Sequence, residues 1–434
     1  MYDSDAITPP STPTKASHSK SSSASSARSM LGLMRGESVS STRSRRRGDS
    51  ISSLTSWCRG ISIDESEKPG NTELLTFKYW LSDYEVLDKK QPLGSGLWSD
   101  VYLARPTLPR PSASVSTLAT PSYPLTSHHS LITGNGCIND PSIPTPPITP
   151  TCSRNSSVSK RPLPTLPSAY AIKFPASRSA KHVLAAESLV LSYLSRFPDS
   201  SHYIVPFYGQ DTRTSALVLK AMDVTLECWI QTDLNALAEG ARARRLAGVF
   251  PQIAVALIRG LEWMIENGCV HADIKPSNIL IDLSSSPPLA LYSDFSSATL
   301  NHHLTDTNSS SAPLGGGTWD FLDPSLLLKP TSPSPSPTPT PESDTWSLAL
   351  TFLYFILGSS PFECAGSNVF RRREIVKHGT PLAYTGYGDQ GIRNVARLKA
   401  VERELGWGVC SWLGRVLVRD ATKRVGLGEW RGEL

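Results

Sequence analysis

Two carboxylates, an amide and a lysine stand at short, fixed spacings in the run Val270-His271-Ala272-Asp273-Ile274-Lys275-Pro276-Ser277-Asn278-Ile279-Leu280 and in Tyr292-Ser293-Asp294-Phe295-Ser296. Short apolar runs flank both, which places the polar side chains on anchored loops. Phosphoryl transfer needs this inventory: one carboxylate orients a hydroxyl, while an amide and a second carboxylate hold Mg²⁺ on nucleotide phosphates. Asp273 is the candidate for the first role. Asn278 and Asp294 are candidates for the second, since Mg²⁺ is a hard cation that prefers oxygen donors. The plain alternative is an Asp-capped turn followed by a buried strand, and this stretch alone does not separate the two.

Such groups need elements to position them. Residues 83–93 and 100–105 read as short strands around the glycine turn Leu93-Gly94-Ser95-Gly96-Leu97-Trp98-Ser99-Asp100-Val101. That turn is no P-loop, because no G-K-[ST] follows, and it lacks the helix that a dinucleotide fingerprint requires; a plain hairpin remains open. Residues 170–174 form the next strand, and 180–196 has helical apolar spacing through Val183, Leu184, Leu189, Val190, Leu191 and Leu194. Residues 204–208 and 216–219 complete a sheet of about five strands. From Leu226 the chain reads as mainly helical, most clearly over 250–267, with Ile253, Leu257, Leu261 and Met264 on one face and Gly268 as the stop. A last apolar helix is expected over 344–357. A β-rich half followed by a helical half is one α+β unit in two lobes.

The remaining composition bounds the reading. The chain has 434 residues, but its 35 prolines gather in a few tracts. Residues 1–75 are Ser/Thr/Pro-rich with few large apolar side chains, so they cannot bury enough surface to offset the entropy of ordering, and disorder is expected. The same holds for an insert at 106–168, centred on 144–150, which loop-closure entropy tolerates between adjacent strands because it grows only logarithmically. A second Pro-rich insert is expected at 330–341. The net charge of +5 is mild; the basic cluster Arg43, Arg45, Arg46 and Arg47 reads first as a solvated tail, and no nucleic-acid partner is expected. Seven scattered cysteines form no C-x-x-C pair, which argues against a zinc site or disulfide framework and fits a reducing compartment, the cytoplasm or nucleus. The N-terminus has no signal-peptide pattern, and the most apolar stretch, 348–357, is short of the roughly 18 residues of a membrane span.

In their order along the chain these segments resemble the motifs of protein kinases. The opening run resembles the H-R-D-x-x-x-x-N catalytic loop and the D-F-G segment, with Ala272 in place of the usual Arg and Ser296 in place of Gly. The turn at 93–101 resembles the glycine-rich loop, with Ser99 for the third glycine; Leu93, Gly94, Ser95, Gly96 and Val101 are then nucleotide contacts. Ala171-Ile172-Lys173 resembles the V-A-I-K strand, which implies that Lys173 contacts phosphates, with Ala171 beside it and Glu187 as ion-pair partner. Lys220 and Met222 flank the implied adenine site at the lobe junction. Lys275 resembles the lysine that Ser/Thr kinases place beside the transferring phosphate, and Thr318 the threonine that bridges it to the catalytic Asp.

The resemblance implies a bilobal protein-kinase-like fold, α+β, with a small β-rich N-lobe (76–221) and a larger helical C-lobe (222–434). It implies transfer of the γ-phosphate of Mg-ATP to Ser/Thr hydroxyls of protein substrates. The alternatives are a pseudokinase scaffold that binds nucleotide without efficient transfer, and an adaptor acting through its tails. Thr-Pro steps at Thr8, Thr120, Thr145 and Thr149, and the run around Arg45 to Ser50, are candidate targets of upstream kinases or Pro-binding modules.

Three departures carry expectations. Ala272 cannot bind a phosphate on the following loop, so phosphorylation at Thr305, Thr307 or Ser309 is not the expected main switch. Ser296 is expected to restrict backbone freedom. Asp323-Pro324-Ser325 replaces the A-P-E ending, so Arg424, in the D-x-x-x-R element at Asp420, is expected to lack its usual glutamate, with Glu342 as a candidate substitute. Asp344 matches the aspartate that braces the catalytic loop.

Overall fold

Alternation along Tyr170-Ala171-Ile172-Lys173 decides how the site is built, because successive side chains of a strand point to opposite faces. The computed structural model describes residues 73–108, 167–300, 318–327 and 337–434. The tail up to 72, the insert over 109–166, Thr305, Thr307, Ser309, Gly317 and the prolines of 330–336 lie outside the described residues.

The N-terminal lobe consists of β1 (Asp83–Val86), β2 (Gly94–Ser95), β3 (Ser99–Thr107), β4 (Tyr170–Pro175), helix α1 (Lys181–Leu194), β5 (Phe207–Asp211) and β6 (Ala216–Lys220). The sheet runs β1-β3-β4-β6-β5, with β2 paired to β3. It has six strands; the one the sequence did not separate is β2, two residues of the glycine turn. The strand expected over 204–208 begins at Phe207 instead, and Ile204 forms an isolated bridge to Tyr292. Tyr170 and Ile172 join Ala216, Val218 and Phe77 in a small core on one face of the sheet. Ala171 and Lys173 take the other face, where Val101 lies directly opposite Lys173 on the neighbouring strand. β3 and β4 pair from Ser99–Pro175 to Ala104–Tyr170, so the segment between them leaves and re-enters at neighbouring strand ends.

Residues 73–77 form a strap over the edge of this sheet, ahead of the start expected near 76. Leu75 N–H donates to Ser192 Oγ on α1 (2.9 Å). Gln210 N–H donates to Leu75 O (2.8 Å), and Phe77 N–H to Gln210 O (2.9 Å). The Arg196 guanidinium donates to Glu73 O. Gly209, at φ +121°, admits this approach: a Cβ there would lie 2.5 Å from the Phe77 nitrogen.

The second lobe begins with β7 (Val224–Thr225), α2 (Leu226–Trp229) and α3 (Glu239–Glu266), then β8 (Cys269–Val270), β9 (Ile279–Asp282), β10 (Leu289–Tyr292) and β11 (Thr299–Leu300). It continues with α4 (Pro324–Leu327), α5 (Pro341–Leu357), α6 (Val369–His378), α7 (Pro381–Tyr384), α8 (Gly391–Leu405), α9 (Val409–Gly414) and α10 (Leu427–Gly432). Helix α3 starts at Glu239 rather than near 250, because its Ala/Arg/Leu-rich first half favours helix by propensity before the apolar stripe begins. With 28 residues it is long and apolar enough to cross a membrane. Its stripe of Leu246, Phe250, Ile253, Leu257, Leu261 and Met264 is instead wholly buried in the lobe's core, which accounts for that composition. Helix α5 starts at Pro341, not 344. Pro at the first helical position needs no amide hydrogen bond, and Thr340 and Ser343 form a reciprocal capping box ahead of it. The last proline of the expected insert, Pro341, therefore belongs to a helix start.

Candidate active site

Lys173 and Glu187 come from adjacent elements, and the geometry joins them. Lys173 Nζ donates to Glu187 Oε1 and Oε2, each at 2.8 Å, and to Asp294 Oδ1 at 2.8 Å. Phe295 N–H also donates to Glu187 Oε1 (3.2 Å), so α1 is tied to the segment after β10. Burial alone would depress the lysine, but the Asp294 and Glu187 carboxylates outweigh it and hold the ammonium above its ordinary range. Burial pushes Glu187 upward against the pull of Lys173. At the half-buried Asp294 partial desolvation is outweighed by Lys173, which holds the carboxyl well below the usual carboxylate range.

Residues of the loop between β8 and β9 form a second cluster. Asp273 Oδ2 accepts from Lys275 Nζ (2.8 Å) and Asn278 Nδ2 (3.1 Å), while Oδ1 accepts from Thr318 N–H (3.0 Å). Lys275 Nζ also donates to Thr318 Oγ1 (2.7 Å). Both oxygens of Asp273 thus face donors only. Beneath the loop Asp344, 1 % exposed, accepts from His271 N–H (2.6 Å) and Ala272 N–H (2.9 Å). Burial raises Asp344 to about 7 in spite of those two amides. Burial also keeps His271 below its usual range, hence neutral. Its Nε2 lies 3.0 Å from Ser293 O, which assigns the proton to that nitrogen.

Two loop residues adopt the left-handed conformation that glycine favours: Ala272 at φ +64° and Asp294 at φ +60°. The Asp344 carboxylate holds the first and the Lys173 ion pair the second. Ser296 is not left-handed, so the strain falls two residues before the position where glycine is usual. Its side chain instead helps to lower the Asp294 carboxyl. The restriction expected at Ser296 is therefore no obstacle to the conformation present here.

The remaining predicted contacts line the sheet side. At Gly94 nothing would lie within 4 Å of an added Cβ, and at Gly96 the nearest atom would be Ser99 O at 3.6 Å. Protein packing does not demand glycine there, whereas close approach of a ligand to the backbone would. Leu93 is exposed and Val101 half-buried beside Lys173. At the lobe junction Lys220 N–H is taken by Pro206 O and Ala221 N–H by Ala169 O. Met222 makes no backbone hydrogen bond among the described residues, which leaves its polar groups for a ligand edge. The Lys220 side chain faces Asp282 at 3.6 Å.

Arg424 does not lack a partner. Its Nη1 lies 2.5 Å from Asp323 Oδ2, and the two side chains are 3 % and 1 % exposed. Asp323 opens the altered ending and supplies the carboxylate that was expected two residues later. The Glu342 side chain is not the substitute; its backbone carbonyl accepts from Arg424 Nη1 (2.9 Å).

The donor set here suits Mg²⁺. Asn278 Nδ2 is held by Asp273 O (2.9 Å) and Oδ2, which leaves Oδ1 to face a cation. Asp294 brings an ionised carboxylate. No group of three or more metal-ligating His, Cys, Asp or Glu occurs among the described residues. A two-ligand site suits Mg²⁺, which keeps waters and takes phosphate oxygens rather than an all-protein cage.

Comparison with known proteins agrees with this geometry. A family model of the protein kinase domain matches residues 168–427. Among curated proteins, the chain is similar to the serine/threonine-protein kinase ISR1 of Eremothecium gossypii, 32 % identical over 34 % of this chain and 46 % of that protein. It is similar to mitogen-activated protein kinase kinase 1c of Physcomitrium patens, 32 % identical over 30 % of this chain and 36 % of that protein. Protein kinase wis1 of Schizosaccharomyces pombe is 26 % identical over 42 % of this chain and 28 % of its own length. The matches span less than half the length of each relative. The matched domain begins after β3, yet the sheet register makes the glycine turn part of the same lobe.

Proposed function

The chain belongs to the protein kinase domain family, and from that premise we propose that it transfers the γ-phosphate of ATP, with Mg²⁺, to serine or threonine hydroxyls of protein substrates. The observation that carries this reading is the bracketing of Asp273 by Lys275, Thr318 and Asn278. Bound Mg²⁺ would neutralise charge developing on the phosphates. Asn278 Oδ1 and Asp294 would hold it. Asp273 would orient the acceptor hydroxyl and take its proton as the new O–P bond forms and the bond to the departing ADP breaks. Lys275, fixed by Asp273 and Thr318, presents its ammonium where the transferring group gains charge. Lys173, locked by Glu187, offers the other fixed cation to the phosphates.

The Ser/Thr preference is supported by the Lys275–Thr318 contact and by the names of the relatives. The tail and the inserts are proposed as the segments that Pro-binding modules or other kinases engage. Incubation of the full chain with Mg²⁺ and γ-labelled ATP, followed by phosphoamino-acid analysis of mixed Ser/Thr/Tyr peptides, tests the reading. Phosphoserine or phosphothreonine is the expected product. Nucleotide binding without any transfer would make the chain a scaffold, the reading that Ala272 favours.

A further inference from the structure

The turn that follows Thr318 carries a surplus of guanidinium groups. Thr318 N–H is bonded to the Asp273 carboxylate, so its neighbour Trp319 borders the acceptor site. Helix α6 packs on this turn through two arginines. Arg372 forks onto Asp320, Nε to Oδ1 at 2.7 Å and Nη2 to Oδ2 at 2.5 Å. Arg373 lays its guanidinium 4.0 Å over the Trp319 ring. Further along the helix Lys377 pairs with Glu374 at 2.7 Å.

Once Asp320 and Glu374 are assigned, two cations remain. Arg371 is exposed and Arg373 half-buried, and neither makes an ion pair among the described residues. Arg373 Nε is also buried with no hydrogen-bond partner. Val369 and Phe370, 58 % and 79 % exposed, stand beside them. Local energetics do not explain the arrangement, since arginines in the first turns of a helix oppose its macrodipole. The Asn368 side chain already caps the Arg371 amide, so the guanidinium groups rather than the helix end are the feature.

Resting on the transferase reading above, we propose that Arg371 and Arg373 select protein substrates bearing an anionic side chain, carboxylate or phosphate, within a few residues of the acceptor. A guanidinium stacked on an indole is held flat, with its outer edge free to form paired hydrogen bonds to such an anion. Phe370 and Val369 offer apolar surface to the substrate side chains alongside.

The test is a set of serine peptides, one neutral and the others carrying Asp or phosphoserine at successive positions on either side of the acceptor, assayed with the full-length chain. An anionic residue at a favoured position should raise kcat/KM about tenfold or more, the scale of one charge-assisted hydrogen bond. The Arg371→Ala/Arg373→Ala double variant should lose that gain while transfer to the neutral peptide stays unchanged. Arg371→Ala alone, at an exposed position that the fold does not use, should lose part of it. A larger gain from phosphoserine than from Asp identifies a phosphorylated substrate, and equal gains an acidic one. Equal use of neutral and anionic peptides by the wild type, or a gain that survives in the double variant, overturns the proposal but leaves the transferase reading standing. Failure to phosphorylate any peptide overturns both.

Discussion

Lys173 and Arg424 are both buried cations, and their surroundings differ in kind. Lys173 meets two carboxylates from two elements, Glu187 on α1 and Asp294 after β10. That is one carboxylate more than the cation requires, and the extra one belongs to the residue suited to hold Mg²⁺. Arg424 meets one carboxylate, Asp323, and directs other donors to the carbonyls of Val418 (2.9 Å) and Glu342 (2.9 Å). Charge there is matched, and nothing is left to offer a ligand. The difference separates a site from a brace: the first holds surplus charge drawn from separate elements, and the second closes on itself.

The comparison is broken most severely at Lys173. Lys173→Arg keeps a cation between the carboxylates but moves its donors, so transfer should fall by roughly 10²–10⁴-fold, the range for a positioned catalytic group, while the melting temperature changes little. Steady-state transfer alongside thermal denaturation checks this. At Arg424 the pattern should reverse. Asp323→Ala leaves a buried guanidinium unpaired and should cost about 3–5 kcal/mol in denaturant unfolding. Adding Arg424→Met should recover much of that loss, which a merely local effect of the Asp323 side chain would not allow.

Asp344 sharpens the comparison, since it is a buried carboxylate with no cationic partner among the described residues. Asp344→Asn loses one of two amide acceptors and should destabilise the protein by about 1–3 kcal/mol. Its pH dependence has a definite sign. The folded carboxyl lies near 7, above its ordinary value, so its contribution to stability is greatest below pH 4 and is lost as pH rises toward 7. Neutral His271 has the opposite sign, so the difference between wild type and variant isolates Asp344. That difference should narrow between pH 5 and pH 8; widening would contradict the assignment.

Effects no larger than that at Asp344 are expected under the strap and at Ser296. Gly209→Ala forces a left-handed residue against the 73–77 strap and should cost about 1–3 kcal/mol, with faster hydrogen exchange at Gln210 and along α1. Ser296→Gly, at a position that is not left-handed, should stay within about 0.5 kcal/mol in stability.

What could be read from the sequence follows from how far apart the partners lie. Asp273, Lys275 and Asn278 share one loop, so their spacing already states the cluster. Lys173 and Glu187 are a strand and the next helix, a separation that strand and helix periods bridge. Asp323 and Arg424 are 101 residues apart, and the motif places glutamate at Ser325 rather than aspartate at Asp323, so only the folded chain shows the substitution. The strap was hidden for another reason: a single bridge at Thr76 has no period to detect. Its one signal was Gly209, an isolated glycine in a strand, which marks a close backbone approach. The start of α3 was obscured because Ala and Arg favour helix without drawing an apolar stripe.

The central claim is that Asp273 works in a site whose chemistry is intact in spite of Ala272 and Ser296. Single-turnover transfer from Mg²⁺ and γ-labelled ATP to a serine peptide, compared between wild type and Asp273→Asn, tests it most directly. We predict transfer by the wild type and a loss of about 10²–10⁴-fold in the variant, with nucleotide affinity preserved. Equal transfer by both proteins, or none by a wild type that binds the nucleotide, would contradict it.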